Sequence, residues 1–245
     1  MGIFRTSTGQ PDAPVGPVGL YGKIPAHGDF VRIRAGEAVE LGFDGWLEDA
    51  VGALARAGAG LPELPVRFVF RPAGARRSLV GVLGPSADRV GRVFPLAVFC
   101  SVDSFTSAAF PSLPLGCAAF FDSADRLLAQ GATASVADLG EGVRALTAPD
   151  RRTIEEARAS CARIPAGAGA CEPLRGRGIA RSGSMLDCPA PDDITLVLWL
   201  ELARAFLAWP EHSPSFIWTA GPAGRLLLSL APLPPTALLH LARHR

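Results

Sequence analysis

Two apolar runs, Leu79 to Leu83 and Val93 to Val102, are separated only by the stretch Gly84 to Arg92. A crossover between parallel strands needs a dozen or more residues, so a link this short makes the two runs an antiparallel pair. Its residues Gly84-Pro85-Ser86-Ala87-Asp88 supply the turn chemistry. Val66 to Phe70 reads as a third strand just upstream. Two further short runs, Val18 to Tyr21 and Phe30 to Ile33, flank the loop KIPAHGD, in which Pro25 and Gly28 are breakers. Ser215 to Thr219 and Arg225 to Leu230 form a hairpin-like pair around Ala220-Gly221-Pro222-Ala223-Gly224.

Helical periodicity separates these strands. From Glu37 to Arg56, the residues Val39, Phe43, Trp46, Leu47, Ala50, Val51 and Leu54 recur every three or four positions, with Glu40, Asp44, Glu48 and Asp49 mostly opposite. Similar patterns cover Leu115 to Gln130, Val136 to Leu146 and Arg151 to Arg163. Asp192 or Asp193 caps a helix that Pro210 stops after Trp209, and a short helix begins at Thr236. Strands interspersed with long helices imply an α/β domain whose helices cover a central sheet. With one antiparallel pair built in, that sheet is expected to be mixed.

At 245 residues and 49% hydrophobic, the chain is long enough for one substantial core. The expected organisation is a loose tail over 1–17 and a single domain over 18–245. Within that domain, 162–191 forms a long surface loop rich in Gly, Pro and Arg. Against 23 acidic residues stand 24 basic ones, a net charge of +1 that gives no overall attraction to nucleic acid or an anionic membrane. Five cysteines form an odd set without a CxxC pair, which fits a reducing cytoplasm. The apolar run Ile194 to Trp209 is shorter than the roughly 20 residues that span a bilayer, and it carries Glu201 and Arg204; it reads as a buried helix. Met1-Gly2 with Thr6 matches a myristoylation pattern, but that motif is short and the segment reads as a frayed terminus.

Several patterns fall short of a complete chemistry. Gly22-Lys23 suggests a phosphate loop, but Pro17 stands where that motif needs its first glycine, and Ile24 replaces the following Ser/Thr. Gly84-Pro85-Ser86 begins like a nucleophile elbow, yet a proline beside the serine suits a turn. His240 and His244 share a helical face at the C-terminal end without a nearby acidic or sulfur ligand, so no metal site is expected. No catalytic residue and no cofactor are assigned. In PSADRVGRVFPL, Asp88 can bond backbone donors while Arg89 and Arg92 offer planar donor sets for carboxylate or phosphate. An internal Asp88–arginine ion pair that pins the loop is an equal alternative.

The segments GLYGKIPAHGDFVRIR, FDGWLEDAV, GVLGPSADRVGRVFPLAVF and SFIWTAG, taken in order, resemble the TagF family of bacterial type VI secretion system accessory proteins. The resemblance covers Val18 to Ser101, with weaker support from Ile194 to Leu230 and little between Gly131 and Pro191. It implies a three-layer α/β sandwich and a cytoplasmic, non-catalytic regulator that restrains secretion after translation, beside a threonine kinase and phosphatase pathway. The implied partner is a forkhead-associated scaffold protein, with no nucleic acid and no insertion into a membrane.

Three uses of the motif residues remain open. Lys23, His27, Asp29, Ser86, Asp88, Arg89 and Arg92 form or support a surface for a protein partner. Alternatively, Lys23, His27, Arg89 and Arg92 form a small anion-binding or phosphoryl-handling site. In a purely structural reading, Gly22 and Gly28 supply unusual backbone conformations, Asp29 and Asp88 cap turns, and Phe30, Trp46, Phe94 and Trp218 fill the core. Lys23 is the single lysine among the 24 basic residues, and its compact ammonium suits sites that the rigid guanidinium fork does not.

Overall fold

Successive side chains of a strand point to opposite faces, so a strand apolar at nearly every position must be covered on both sides. The central strands here are of that kind. The computed structural model describes residues 15–103, 107–161, 180–182, 185–206, 215–229 and 231–243. Its strands are β1 (Gly19–Gly22), β2 (Val31–Ile33), β3 (Val66–Phe70), β4 (Arg77–Gly84), β5 (Leu96–Asp103), β6 (Ala180–Ser182), β7 (Met185–Pro189), β8 (Phe216–Thr219) and β9 (Arg225–Ser229). They form one nine-stranded sheet in the order β2-β1-β5-β4-β3-β8-β9-β7-β6.

Helices cover both faces. On one side, α1 (Gly36–Glu40), α2 (Phe43–Arg56) and, late in the chain, α8 (Ala237–Arg243) bury Phe43, Trp46 and Leu238 against Phe68, Phe99 and Ile217. The opposite side holds α3 (Leu113–Gly116), α4 (Ala118–Gln130), α5 (Val136–Ala145), α6 (Arg151–Cys161) and α7 (Asp193–Phe206). There Phe120, Phe121, Leu139, Ile154 and Leu200 meet Val69, Val80, Val98 and Trp218. Trp46 also ties α2 to the approach of α8, its indole donating to the Leu233 carbonyl at 2.8 Å. Trp218 packs edge-on against Phe121 with centroids 5.2 Å apart.

Four expectations are corrected. The sheet is antiparallel in every pairing rather than mixed. The reason is topological: the helices lie in the connections β2–β3, β5–β6 and β7–β8, and none of these joins neighbouring strands, so no crossover imposes a parallel pair. The single helix expected from Glu37 to Arg56 is two, because Gly42 takes a left-handed φ of 70° that ends α1 and re-aims the chain into α2. The stretch 162–191 is not loop throughout, since β6 and β7 fall inside it. β7 is drawn into the sheet by its register with β9, Met185 opposite Ser229 and Pro189 opposite Arg225, a long-range pairing that local composition does not encode. At the other end of the chain, Val15 bridges Val102 and the Gly16 amide donates to the Ser101 carbonyl at 2.7 Å, so these residues of the expected tail run along β5. The remainder, 1–14, lies outside the described residues.

For the site, the decisive point is register. Gly22 pairs with both Val31 and Leu96, and Leu96 also pairs with Gly84. The loops that leave β1 and β4 therefore emerge side by side from one end of the sheet.

Phe43 is fully buried at the centre of an aromatic group, 4.7 Å from the Phe68 centroid and 5.3 Å from that of Phe70. Phe43→Ala should lower stability by about 3–5 kcal/mol in urea unfolding. Val39→Ser, at a position 46% exposed, should change it by no more than about 0.5 kcal/mol.

Candidate functional site: two loops closed by a buried ion pair

β1 ends in Gly22, whose φ of 142° and close approach to the Pro95 carbonyl leave no room for a Cβ. That approach carries Lys23 inward. Its ammonium is 3.0 Å from Asp88 Oδ2, with the carboxylate side chain entirely out of solvent. Arg92 Nε donates to the same oxygen at 2.6 Å, while the Val90 and Arg92 amides donate to Asp88 Oδ1 at 3.0 and 2.9 Å. One carboxylate thus collects two cations and two backbone donors.

The same residues stitch the loops together a second time. Ser86 Oγ donates to the Lys23 carbonyl at 2.7 Å, the Arg89 amide to the His27 carbonyl at 2.9 Å, and Arg92 Nη2 to the Gly28 carbonyl at 2.6 Å. Within the turn, the Gly91 amide donates to the Asp88 carbonyl and the Asp88 amide to that of Arg92. Gly91 supplies the left-handed φ of 85° on which this turn depends. Burial works against the charge on Asp88, but the Arg92 amide, the Lys23 ammonium, the Arg92 guanidinium and the Val90 amide outweigh it and hold the carboxyl well below the usual carboxylate range.

Aromatic rings support the clamp from beneath. Phe30 stacks parallel to Tyr21 at 5.4 Å and meets Phe94 edge-on at 4.8 Å, and the Lys23 ammonium lies 5.0 Å from the Phe30 centroid. Arg32 covers the Tyr21 ring at 5.6 Å. Burial raises the Tyr21 phenol above its ordinary pKa, with Arg32 partly offsetting it.

The structure brings all seven proposed contact residues to one end of the sheet but gives them unlike roles. Lys23, Ser86, Asp88 and Arg92 are engaged with one another and with the two loop backbones. Asp29 closes its own turn, accepting the Phe30 amide at 2.7 Å. His27 and Arg89 keep exposed side chains. Of the four side chains proposed for an anion site, Lys23 and Arg92 are both bonded to Asp88. Gly28 has no left-handed φ, unlike Gly22; its carbonyl serves Arg92, and the Arg89 guanidinium lies over its α-carbon. Val90 and Val93, assigned no role from sequence, are 70% and 55% exposed. Val93 was expected to open a strand but only bridges Ala87, and β5 begins at Leu96. The neighbouring Gly91 was the available signal that this stretch turns.

Elsewhere, the thiols of Cys100, Cys117, Cys161 and Cys188 are free and buried. Burial pushes Cys188 up to about 12, far from a reactive thiolate. Among the described residues, no group of three or more His, Cys, Asp or Glu side chains is placed to hold a metal ion. His244 lies outside them. No described helix is long and apolar enough to cross a membrane.

Residues 19–146, which contain both loops of the clamp, match the TagF N-terminal domain, type VI secretion system-associated. The chain belongs to the TagF family. The TagF match continues to Leu146, past the Ser101 limit of the motif resemblance and into the segment after Gly131 that showed little of it. The fold of this TagF-family chain is similar to the crystal structure of PA0076 from Pseudomonas aeruginosa PAO1 at 2.05 Å resolution. The two share a TM-score of 0.58 and 24% identity over 93% of this chain and 94% of that one. No curated protein matches the sequence.

Because the folded Asp88 carboxyl titrates below its unfolded range, its contribution to stability is present above that range and is lost as pH falls toward the folded value. The urea-unfolding difference between wild type and Asp88→Asn should be widest above about pH 4 and shrink below it. Lys23→Arg keeps the charge but forces a planar fork into a site 7% exposed, so its Tm should fall by several degrees, whereas an unchanged Tm would leave the lone lysine without a special role.

Proposed function

We propose that this TagF-family chain is a cytoplasmic, non-catalytic, post-translational regulator that represses assembly or firing of a type VI secretion system by binding its forkhead-associated scaffold protein. The observation that carries this reading is the closure of the two motif loops by the buried Lys23–Asp88–Arg92 cluster. That cluster fixes an exposed surface instead of opening a cleft for a small substrate. Of the residues proposed for anion binding or phosphoryl handling, Lys23 and Arg92 are tied to Asp88 while His27 and Arg89 are exposed, and the Ser86 hydroxyl is donated to the Lys23 carbonyl. A surface held rigid by interior charges loses little conformational entropy on docking, which suits a protein that must sequester a partner. Family membership supports the link to secretion, and the scaffold as partner follows the TagF resemblance of the motif segments.

Removing the chain from a cell with an active system should raise type VI secretion, and its overproduction should suppress it. Tagged full-length chain should retain the forkhead-associated protein, with Asp88→Ala reducing both capture and repression. Secretion that responds to neither removal nor overproduction would sink the regulatory reading.

A further inference from the structure

In the two loops most conspicuous side chains have an internal purpose, with Lys23, Ser86, Asp88 and Arg92 closing the clamp, Gly22 and Gly91 permitting the backbone, and Phe30 and Phe94 filling the space below. Arg89, Val90 and Val93 are left over. Among the described residues no carboxylate pairs with the Arg89 guanidinium, which rests against Gly28 with its Nη2 3.6 Å from the position a Cβ would take. Among the described residues Val90 is the most exposed large hydrophobic, and Val93 lies three residues away. Neither is exposed through looseness of the chain. The Val90 amide is bound by Asp88 Oδ1, the Phe94 amide by the Ser86 carbonyl, and Val93 bridges Ala87.

Holding two β-branched apolar side chains in water on a turn fastened by a buried carboxylate gives the fold nothing in return. We infer that Arg89, Val90 and Val93 are the contact itself, a preformed crest that takes an acidic protein segment carrying an apolar side chain. This rests on the partner-binding reading above and names the chemistry of the surface that is bound. The charge argument is local. Among the described residues Arg89 is in no ion pair, and the Arg92 side chain is 60% exposed around its bond to Asp88. Asp29, the nearby acid of the loop, accepts the Phe30 amide and keeps its charge, but Lys23, Arg89 and Arg92 outnumber Asp29 and Asp88 by three to two. The crest therefore presents a net positive rim to a partner, with the valines available to enter an apolar recess. Arginine beside buried apolar contacts is the composition in which interface energy concentrates, and a complementary acidic partner would associate in a salt-dependent way.

The test uses full-length chain and the purified forkhead-associated protein of the same secretion system, with affinity measured at two salt concentrations and Tm recorded for every variant. Arg89→Glu and the double variant Val90→Asp/Val93→Asp should each weaken binding more than tenfold at unchanged Tm. Wild-type affinity should fall with added salt, and Arg89→Ala should flatten that dependence. Wild-type affinity in both variants would overturn the inference while leaving scaffold binding, and so the proposed function, intact. If wild type does not bind this protein, the choice of scaffold as partner fails, and repression of secretion decides the crest. Loss of repression in both well-folded variants supports it, whereas full repression by either overturns it. Sedimentation of wild type with phosphatidylglycerol vesicles, abolished by Arg89→Glu, would instead assign the crest to a lipid surface and also overturn it.

Discussion

A carboxylate removed from water must be compensated at close range or it takes up a proton. Asp88 is compensated by Lys23 from one loop and by the Arg92 guanidinium and two amides of its own, and this ties the geometry of the sheet end to one side chain. The β1–β2 loop cannot drift from the β4–β5 loop without separating Lys23 from its counter-charge. The turn from Asp88 to Arg92 cannot open without stripping amides from the carboxylate. Electrostatics that add little on an exposed surface set the structure here because water does not share the load. The aromatic trio below adds an apolar floor, with the Lys23 ammonium lying near the Phe30 ring.

Much of the N-terminal architecture could be read from residue order alone. The short link after Leu83 dictated an antiparallel neighbour, and the β4–β5 register follows it residue by residue from Arg77 opposite Asp103 to Gly84 opposite Leu96. Periodicity located α2 because its buried residues Trp46, Leu47, Ala50 and Leu54 form one stripe, but the same periodicity runs across Leu41-Gly42 and conceals the break there. β6 and β7 were hidden for another reason: β7 is held by β9, which lies far along the chain, β6 pairs in turn with β7, and the local Gly, Pro and Arg content argues for loop. Within the site, sequence named the participants without distinguishing them. Arg89 and Arg92 are chemically identical and three residues apart, and only the Gly91 turn decides that one faces Asp88 and the other faces solvent.

The clamp also gives the two TagF motifs a shared physical meaning. GKIPAHGDF provides a lysine and three carbonyls, and PSADRVGR provides the carboxylate, the guanidinium, a hydroxyl and an amide, so each motif is incomplete without the other. Substitution in one would leave an uncompensated charge or unbonded carbonyl in the other, which couples segments with no connection in sequence.

The pairing of β3 with β8 has a consequence for the making of the protein. Val66 sits opposite Thr219 and Val69 opposite Phe216, so the region matched to the TagF N-terminal domain hands its last strand edge to a strand outside that region. During synthesis at roughly 5–20 residues per second, β3 waits seconds with that edge unpaired while the intervening helices emerge. An apolar strand edge left open in this way is a template for wrong partners. Nascent chains arrested before β8 would therefore be natural clients for chaperones, even though both family motifs had already left the ribosome.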